Sequence, residues 1–255
     1  MRIQDVLENK WVLITGALGG IGKALVDEYQ NNGYRVIATD IVEDRSHFNN
    51  DISFLSLDLD KFVESEQYAS DFKAQIIKLT ENVGIKVLVN NAAIQILEKT
   101  EEITREQWRS SFNVNLSAPF FLSQMFVNQL EKNKGSIVNI SSIHASQTKN
   151  RFVAYATSKA ALSSMTRNMV LDLGDRIRIN AIEPAAIATD MLKAGFEGKS
   201  DKYKELEAYH PIRRIGRPKE VAKLSVFLSS DDAGFVQGAC ISASGGIQGC
   251  LSDPD

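Results

Sequence analysis

The chain is poor in sulfur and imidazole. Of its 255 residues only two are cysteine, Cys240 and Cys250, and three are histidine, His47, His144 and His210. The cysteines form no CxxC pair, so no disulfide framework is expected, and a reducing cytoplasm is the expected compartment. The histidines lack a metal-ligand spacing such as HExxH, so no catalytic metal is expected. No run of about 18 apolar residues is available to span a bilayer. Met1 to Lys10 carries charges and has no apolar centre, so a secretory leader is not expected. The formal net charge of -3 gives no electrostatic reason to expect nucleic acid or an anionic membrane as partner. Repeats, low-complexity tracts and linkers are missing too, which leads us to expect one domain over residues 1–255.

What is present is an alternation. Trp11 to Thr15, Tyr34 to Thr39, Ile52 to Leu57, Ile85 to Asn90, Ser136 to Ser141, Arg176 to Ile182 and Ala239 to Ala243 read as strands. Several are near-continuous Val/Ile/Leu runs, as in a parallel sheet covered on both faces. Helical patterns lie between them, roughly Ile21 to Asn32, Lys61 to Thr80, Arg105 to Lys132, Phe152 to Leu173, Asp190 to Tyr209 and Lys219 to Leu228. The pattern predicts an α/β fold, a doubly wound, parallel, seven-stranded sheet of Rossmann type with helices on both faces. The segment from Thr189 to Arg217 interrupts the alternation after a strand's carboxyl end, and is expected to be a substrate lid.

Thr15-Gly16-Ala17-Leu18-Gly19-Gly20-Ile21-Gly22 follows the first strand and opens the first helix. Glycines there let the backbone turn tightly and approach a pyrophosphate, while the helix start offers free N–H groups. Asp40 ends the second strand, where a carboxylate can accept hydrogen bonds from an adenosine ribose. A 2′-phosphate there would meet like charge, reinforced by Glu43 and Asp44, and no Lys or Arg stands at Leu18 or Ile41. NAD(H) is therefore expected over NADP(H), with Arg45 the one nearby cation in the sequence.

Tyr155-Ala-Thr-Ser-Lys159 places a phenol and an ammonium four residues apart, on one helix face. A free phenol, with pKa about 10, is a poor acid or base at neutrality. A cation at about 4 Å, in an effective dielectric near 20, would lower that pKa by at most roughly three units. Such a tyrosine could pass protons to and from a substrate oxygen.

With these motifs in order, the chain resembles the short-chain dehydrogenase/reductase family from about Lys10 to Gly246. Beside the glycine loop and YxxxK stand Asn90-Asn91-Ala92-Ala93, Asn113-Val114-Asn115, Ile140-Ser141-Ser142, and Asn180-Ala181-Ile182-Glu183-Pro184 followed by Thr189. The resemblance implies a catalytic set of Asn115, Ser142, Tyr155 and Lys159. Tyr155 would be the general acid/base, Lys159 would tune it and hold the nicotinamide ribose, and Ser142 would hold the reacting oxygen. Asn115 would fix the long helix and a proton-relaying water. It further implies a cofactor site of Gly16, Leu18, Gly19, Gly20, Ile21, Gly22, Asp40, Ile41, Asp58, Leu59, Asn91, Ala92, Ala93, Tyr155, Lys159, Pro184, Ile187 and Thr189. Asp58 would meet the adenine and Asn90 would lie along the adenosine ribose. Ala93 and Ala185 replace family glycines, and ordinary φ angles are expected at both. Glu183 is expected at the surface or a subunit contact.

The substrate contacts expected are Ser142, His144 and Tyr155. Polar residues near His144 (Gln147, Lys149, Asn150, Arg151), with Lys193, Arg213 and Arg214 around the lid, suggest a small polar or anionic alcohol/carbonyl pair. The alternatives are 3-oxoacyl-carrier-protein-type reduction and non-catalytic NAD(H) sensing. Small residues along Phe152 to Leu173 permit close helix contact, and family members of this kind are commonly tetramers. A homotetramer is expected, with a dimer as alternative.

Overall fold

In the computed structural model, residues 10–250 are described; the stretch read for a leader lies outside them up to residue 9. Seven parallel strands form one sheet in the order β3-β2-β1-β4-β5-β6-β7. They are β1 (Trp11–Thr15), β2 (Arg35–Asp40), β3 (Ser53–Ser56), β4 (Ile85–Asn90), β5 (Ser136–Ile140), β6 (Arg178–Pro184) and β7 (Cys240–Ala243). The helices are α1 (Gly20–Asn31), α2 (Leu59–Glu64), α3 (Glu66–Leu79), α4 (Arg105–Phe112), α5 (Ala118–Lys132), α6 (Val153–Leu173), α7 (Asp190–Gly195), α8 (Ser200–Tyr209) and α9 (Pro218–Ser229).

Side chains alternate across a strand, and β1 feeds two cores accordingly. Val12 and Ile14 join Leu25, Val26 and Tyr29 of α1 and Val221 and Leu228 of α9 on one face. Trp11 and Leu13 join Ile76 of α3, Phe126 of α5 and Met169 of α6 on the other. Burial of both faces explains why the strands read as unbroken apolar runs.

Helix breaks are where sequence and structure differ. The expected helix over Lys61 to Thr80 is two, because Ser65 leaves helical geometry and its side chain caps α3 by accepting from Tyr68 N. The expected helix from Arg105 to Lys132 holds a π-helical turn at Asn113–Ser117. The expected helix from Asp190 to Tyr209 is divided between α7 and α8 near Gly198, which has φ +71°. β6 runs two residues later than read and ends on Pro184, while β7 ends on Ala243 as read.

Strand order reverses beside β1, which pairs with β2 on one side and β4 on the other. In such sheets the ligand crevice opens at the carboxyl ends of the strands at this reversal.

Candidate functional site

A cavity of about 1190 Å³ lies at that crevice. Its floor is the loop between β1 and α1. Gly16 has φ +64°, and a Cβ there would come within 2.7 Å of Ala92 Cα. A Cβ on Gly22 would approach Gly16 O to 2.0 Å. The loop is anchored from β4: Asn91 Nδ2 donates to Thr15 O (3.0 Å) and Gly16 O (2.9 Å). Gly19, at the α1 N-cap, offers no side-chain cap, so first-turn N–H groups stay available. Such a terminus suits a phosphate-bearing ligand.

The remaining residues expected around a dinucleotide, Leu18, Gly20, Ile21, Asp40, Ile41, Asp58, Leu59, Ala92, Ala93, Pro184, Ile187 and Thr189, line the same cavity. Asp40 accepts from Leu18 N (2.9 Å) and Ile41 N (2.8 Å), which orients its carboxylate beside the glycine loop. Arg45 does not offset it, since its guanidinium donates to Phe54 O. Asp58 caps α2 by accepting from Asp60 N and Lys61 N. Ala93 and Ala185 both keep ordinary φ angles, being absent from the positive-φ residues. Asn90 is a correction: it is buried, and its side chain donates to Asn139 Oδ1 inside the sheet (2.8 Å). The strand period turns Asn90 inward and leaves Asn91 at the crevice.

Ser142, Tyr155 and Lys159 line the cavity together. Ser142 follows β5, and its hydroxyl accepts from His144 N (3.1 Å). Asn115 stands behind them in the π turn, fully buried. Its Oδ1 accepts from Ile94 N, and its Nδ2 donates to Ile94 O and Ser158 Oγ. Ser158 in turn donates to Tyr155 O, so Asn115 couples the loop after β4 to the α6 turn that carries the tyrosine.

The electrostatics correct one expectation. Lys159 Nζ donates to Ile140 O at 2.7 Å and sits 5.9 Å from the Tyr155 ring centroid. Burial pushes the phenol up, and a hydrogen bond from Ser142 pulls it only partly back. Burial also pulls Lys159 down to about 7. Desolvation thus outweighs the Ser142 hydrogen bond, and the phenol is not the lowered acid that spacing alone suggested. The depressed lysine penalises the native state fully below pH about 7, where the unfolded chain gains more from protonation. The penalty fades as pH rises to 10.5, the ordinary lysine value. Lys159→Met is therefore expected to raise resistance to urea most at pH 6, by about 1 kcal/mol or more. A gain that is flat or grows toward pH 10 would contradict this.

Around the mouth, the His144 ring packs at a tilt against Phe152, with centroids 4.5 Å apart, and lies 6.1 Å from the Tyr155 ring. Burial lowers its pKa. Thr189, Leu192, Gly195, Phe196, Leu206 and His210 of the segment after β6 complete the lining. The cations expected to favour an anionic substrate do not converge there. Arg214 forks onto Glu220 (2.9 and 2.7 Å), Arg151 faces Glu98, Lys193 faces Asp190, and Arg213 donates to Ala208 O. Lys149 does line the cavity, with its ammonium 4.6 Å over the Phe152 ring.

Two features were missed. Glu183, expected at the surface or a subunit contact, is 6% exposed within this chain and accepts from Ser163 Oγ, which also bonds Ser141 Oγ, a link into the interior that the sequence did not show. His210 was read only as a histidine without metal spacing, yet it is buried on the cavity wall. Its position at the end of the lid pattern was the available signal.

Fold and site define a nicotinamide-dinucleotide oxidoreductase. Residues 16–248 match a protein-family model described as enoyl-(acyl carrier protein) reductase. A 3-oxoacyl-[acyl-carrier-protein] reductase of Thermotoga maritima is 36% identical over 246 residues, 94% of this chain and 98% of that protein. A 7alpha-hydroxysteroid dehydrogenase of Escherichia coli is 34% identical, covering 94% of each. Among solved structures, the ligand-free aldohexose dehydrogenase of Thermoplasma acidophilum superposes with a TM-score of 0.87 at 32% identity, covering 98% of each chain. The chain belongs to the short-chain dehydrogenase/reductase family, whose members bind nicotinamide cofactors. Among the described residues, no helix is long and apolar enough to cross a membrane.

Proposed function

We propose that this enzyme is an NAD(H)-dependent dehydrogenase/reductase that interconverts a small, polar, uncharged alcohol and its carbonyl partner. The observation that carries this reading is the single cavity joining the glycine loop and Asp40 to Ser142, Tyr155 and Lys159. The residues present fit a dinucleotide, because the loop is shaped where any Cβ at Gly16, Gly20 or Gly22 would strike neighbouring atoms. Gly16, Gly19, Gly20 and Gly22 would cradle the pyrophosphate with Thr189, and Asp40 the adenosine ribose. Pro184, Ile187, Tyr155 and Lys159 would flank the nicotinamide end. Bound there, the nicotinamide supplies or accepts the hydride.

Tyr155 Oη then gives a proton to the substrate oxygen in reduction and takes it in oxidation, while Ser142 Oγ holds that oxygen. Lys159, pulled down to about 7, can exchange a proton near neutrality. Asn115 is a positioning residue, acting through Ile94 and Ser158.

Of the cations named around the mouth, Lys149 alone lines the cavity and its ammonium sits over the Phe152 ring, while Arg151, Lys193 and Arg214 have carboxylate partners, which supports an uncharged substrate. Asp40, with Ile41 63% exposed beside it, supports NAD(H). We expect kcat/KM for NAD(H) to exceed that for NADP(H) by about tenfold or more, the worth of one unfavourable charge contact; a preference for NADP(H) would overturn the cofactor assignment. Similarity to 3-oxoacyl-carrier-protein reductase supports a second reading, which NADPH-linked activity on acetoacetyl thioesters would favour. A homotetramer, or failing that a dimer, is supported by half-exposed Trp108, Phe120 and Phe121 on α4 and α5.

A further inference from the structure

Pro119 has no N–H to offer Asn115 O, four residues back, and its ring crowds that carbonyl, so the α-helical ladder breaks at Asn115. The chain answers with the π turn, in which Ala118 N donates to Asn113 O, five residues back. Such turns are rare and frequently mark functional sites. With the ladder broken, side chains outside the turn must help to set its position.

Asp60, on α2, supplies that hold. Its Oδ1 accepts from Asn113 Nδ2 at 2.7 Å, and its Oδ2 accepts from Ser110 Oγ on α4. The two carboxylate oxygens thus grip the junction between α4 and the π turn, and bonds to a charged acceptor are the stronger kind. Two residues beyond Asn113, the fully buried Asn115 accepts from Ile94 N at 2.9 Å and donates to Ser158 Oγ at 3.0 Å. Ser158 donates in turn to Tyr155 O at 2.8 Å. A connected series of bonds therefore runs from Asp60 through the π turn to the α6 turn that carries the tyrosine. The exposed Arg109–Glu64 pair (3.2 Å) also joins α2 to α4, but it engages neither Asn113 nor the π turn.

We propose that Asp60 is a positioning residue for catalysis, which acts through Asn113 to fix the register of Asn115 against Ile94 and Ser158. This inference rests on the dehydrogenase reading above, in which Tyr155 handles the proton. The test compares the wild type with Asp60→Ala, Asp60→Asn and Asn113→Ala, each also combined with Asn115→Ala. Two quantities are measured: hydrogen exchange of the segment containing Ile94 N, by mass spectrometry, and kcat with saturating NAD⁺ and any small polar alcohol that is oxidised. Asp60→Ala and Asn113→Ala cut the same bond from either end. Each should speed exchange at Ile94 about tenfold and lower kcat about tenfold or more, the scale of a small misplacement of reacting groups. Exchange in β6 is the control for general loosening and should not change. Asp60→Asn can still accept from Asn113 and should recover part of both effects. In the Asn115→Ala background neither substitution should add much.

Unchanged exchange at Ile94 in both single variants overturns the inference. So does a loss of kcat that persists undiminished in the Asn115→Ala background, or a loss confined to KM for NAD⁺, which would make Asp60 a cofactor contact, since it lines the cavity beside Asp58. If NADH binds but no alcohol is oxidised, the dehydrogenase reading fails instead, and exchange at Ile94 alone decides whether Asp60 holds Asn115 in place.

Discussion

Replacing Tyr155 with phenylalanine is expected to lower kcat by a factor of about 10²–10⁴, the range for a lost general acid/base. NADH affinity should be essentially unchanged, because the substitution keeps the ring that packs near Phe152 and His144. Among the described residues the phenol's hydrogen-bond partner is Ser142, itself at the reacting end of the cavity, so no bond to the scaffold is lost. Steady-state rates with any accepted alcohol, together with NADH titration, check both halves. Retention of most of the wild-type rate would remove Tyr155 from the proton path.

The second large effect is expected at the loop. Gly22→Ala puts a methyl 2.0 Å from Gly16 O and 2.7 Å from Ala17 Cα, both backbone atoms that cannot rotate away. Overpacking of this kind costs about 1–3 kcal/mol in stability. The glycine loop must also shift, and its N–H groups move with it, so NADH affinity should fall by about 100-fold or more. Gly249→Ala is the control, since a Cβ there meets nothing within 4 Å. Calorimetry with NADH separates the two variants. Wild-type affinity in Gly22→Ala would show that the loop is not the pyrophosphate cradle.

Much of this was legible because burial on both faces writes strands as apolar runs, and all seven were found within two residues at either end. The glycine loop, Asp40, Ser142, Tyr155 and Lys159 were legible as local motifs, and the sheet brings them to one crevice. What was hidden depends on geometry that spacing does not encode. Ser65 ends one helix and caps the next through a single hydroxyl. The π turn bonds i to i+5 and so departs from the α-helical period around Asn115, whose side chain bonds Ile94 and Ser158. Asn90 and Asn91 differ only in which side of the sheet they face. The arginines and lysines around the lid looked available as residue types, but most have partners on their own segments or nearby. The YxxxK spacing brought phenol and ammonium to one helix face, yet it could not show that desolvation would dominate both.

The central claim is that this cavity exchanges hydride with an alcohol/carbonyl pair, and does more than bind a dinucleotide. The most direct test is NADH formation by the protein on a panel of small polar alcohols, followed by absorbance with the carbonyl product quantified alongside. We predict stoichiometric formation of NADH and carbonyl, dependent on Tyr155. Tight NADH binding without turnover of any alcohol, or of any carbonyl in the reverse direction, would contradict it and leave a dinucleotide sensor.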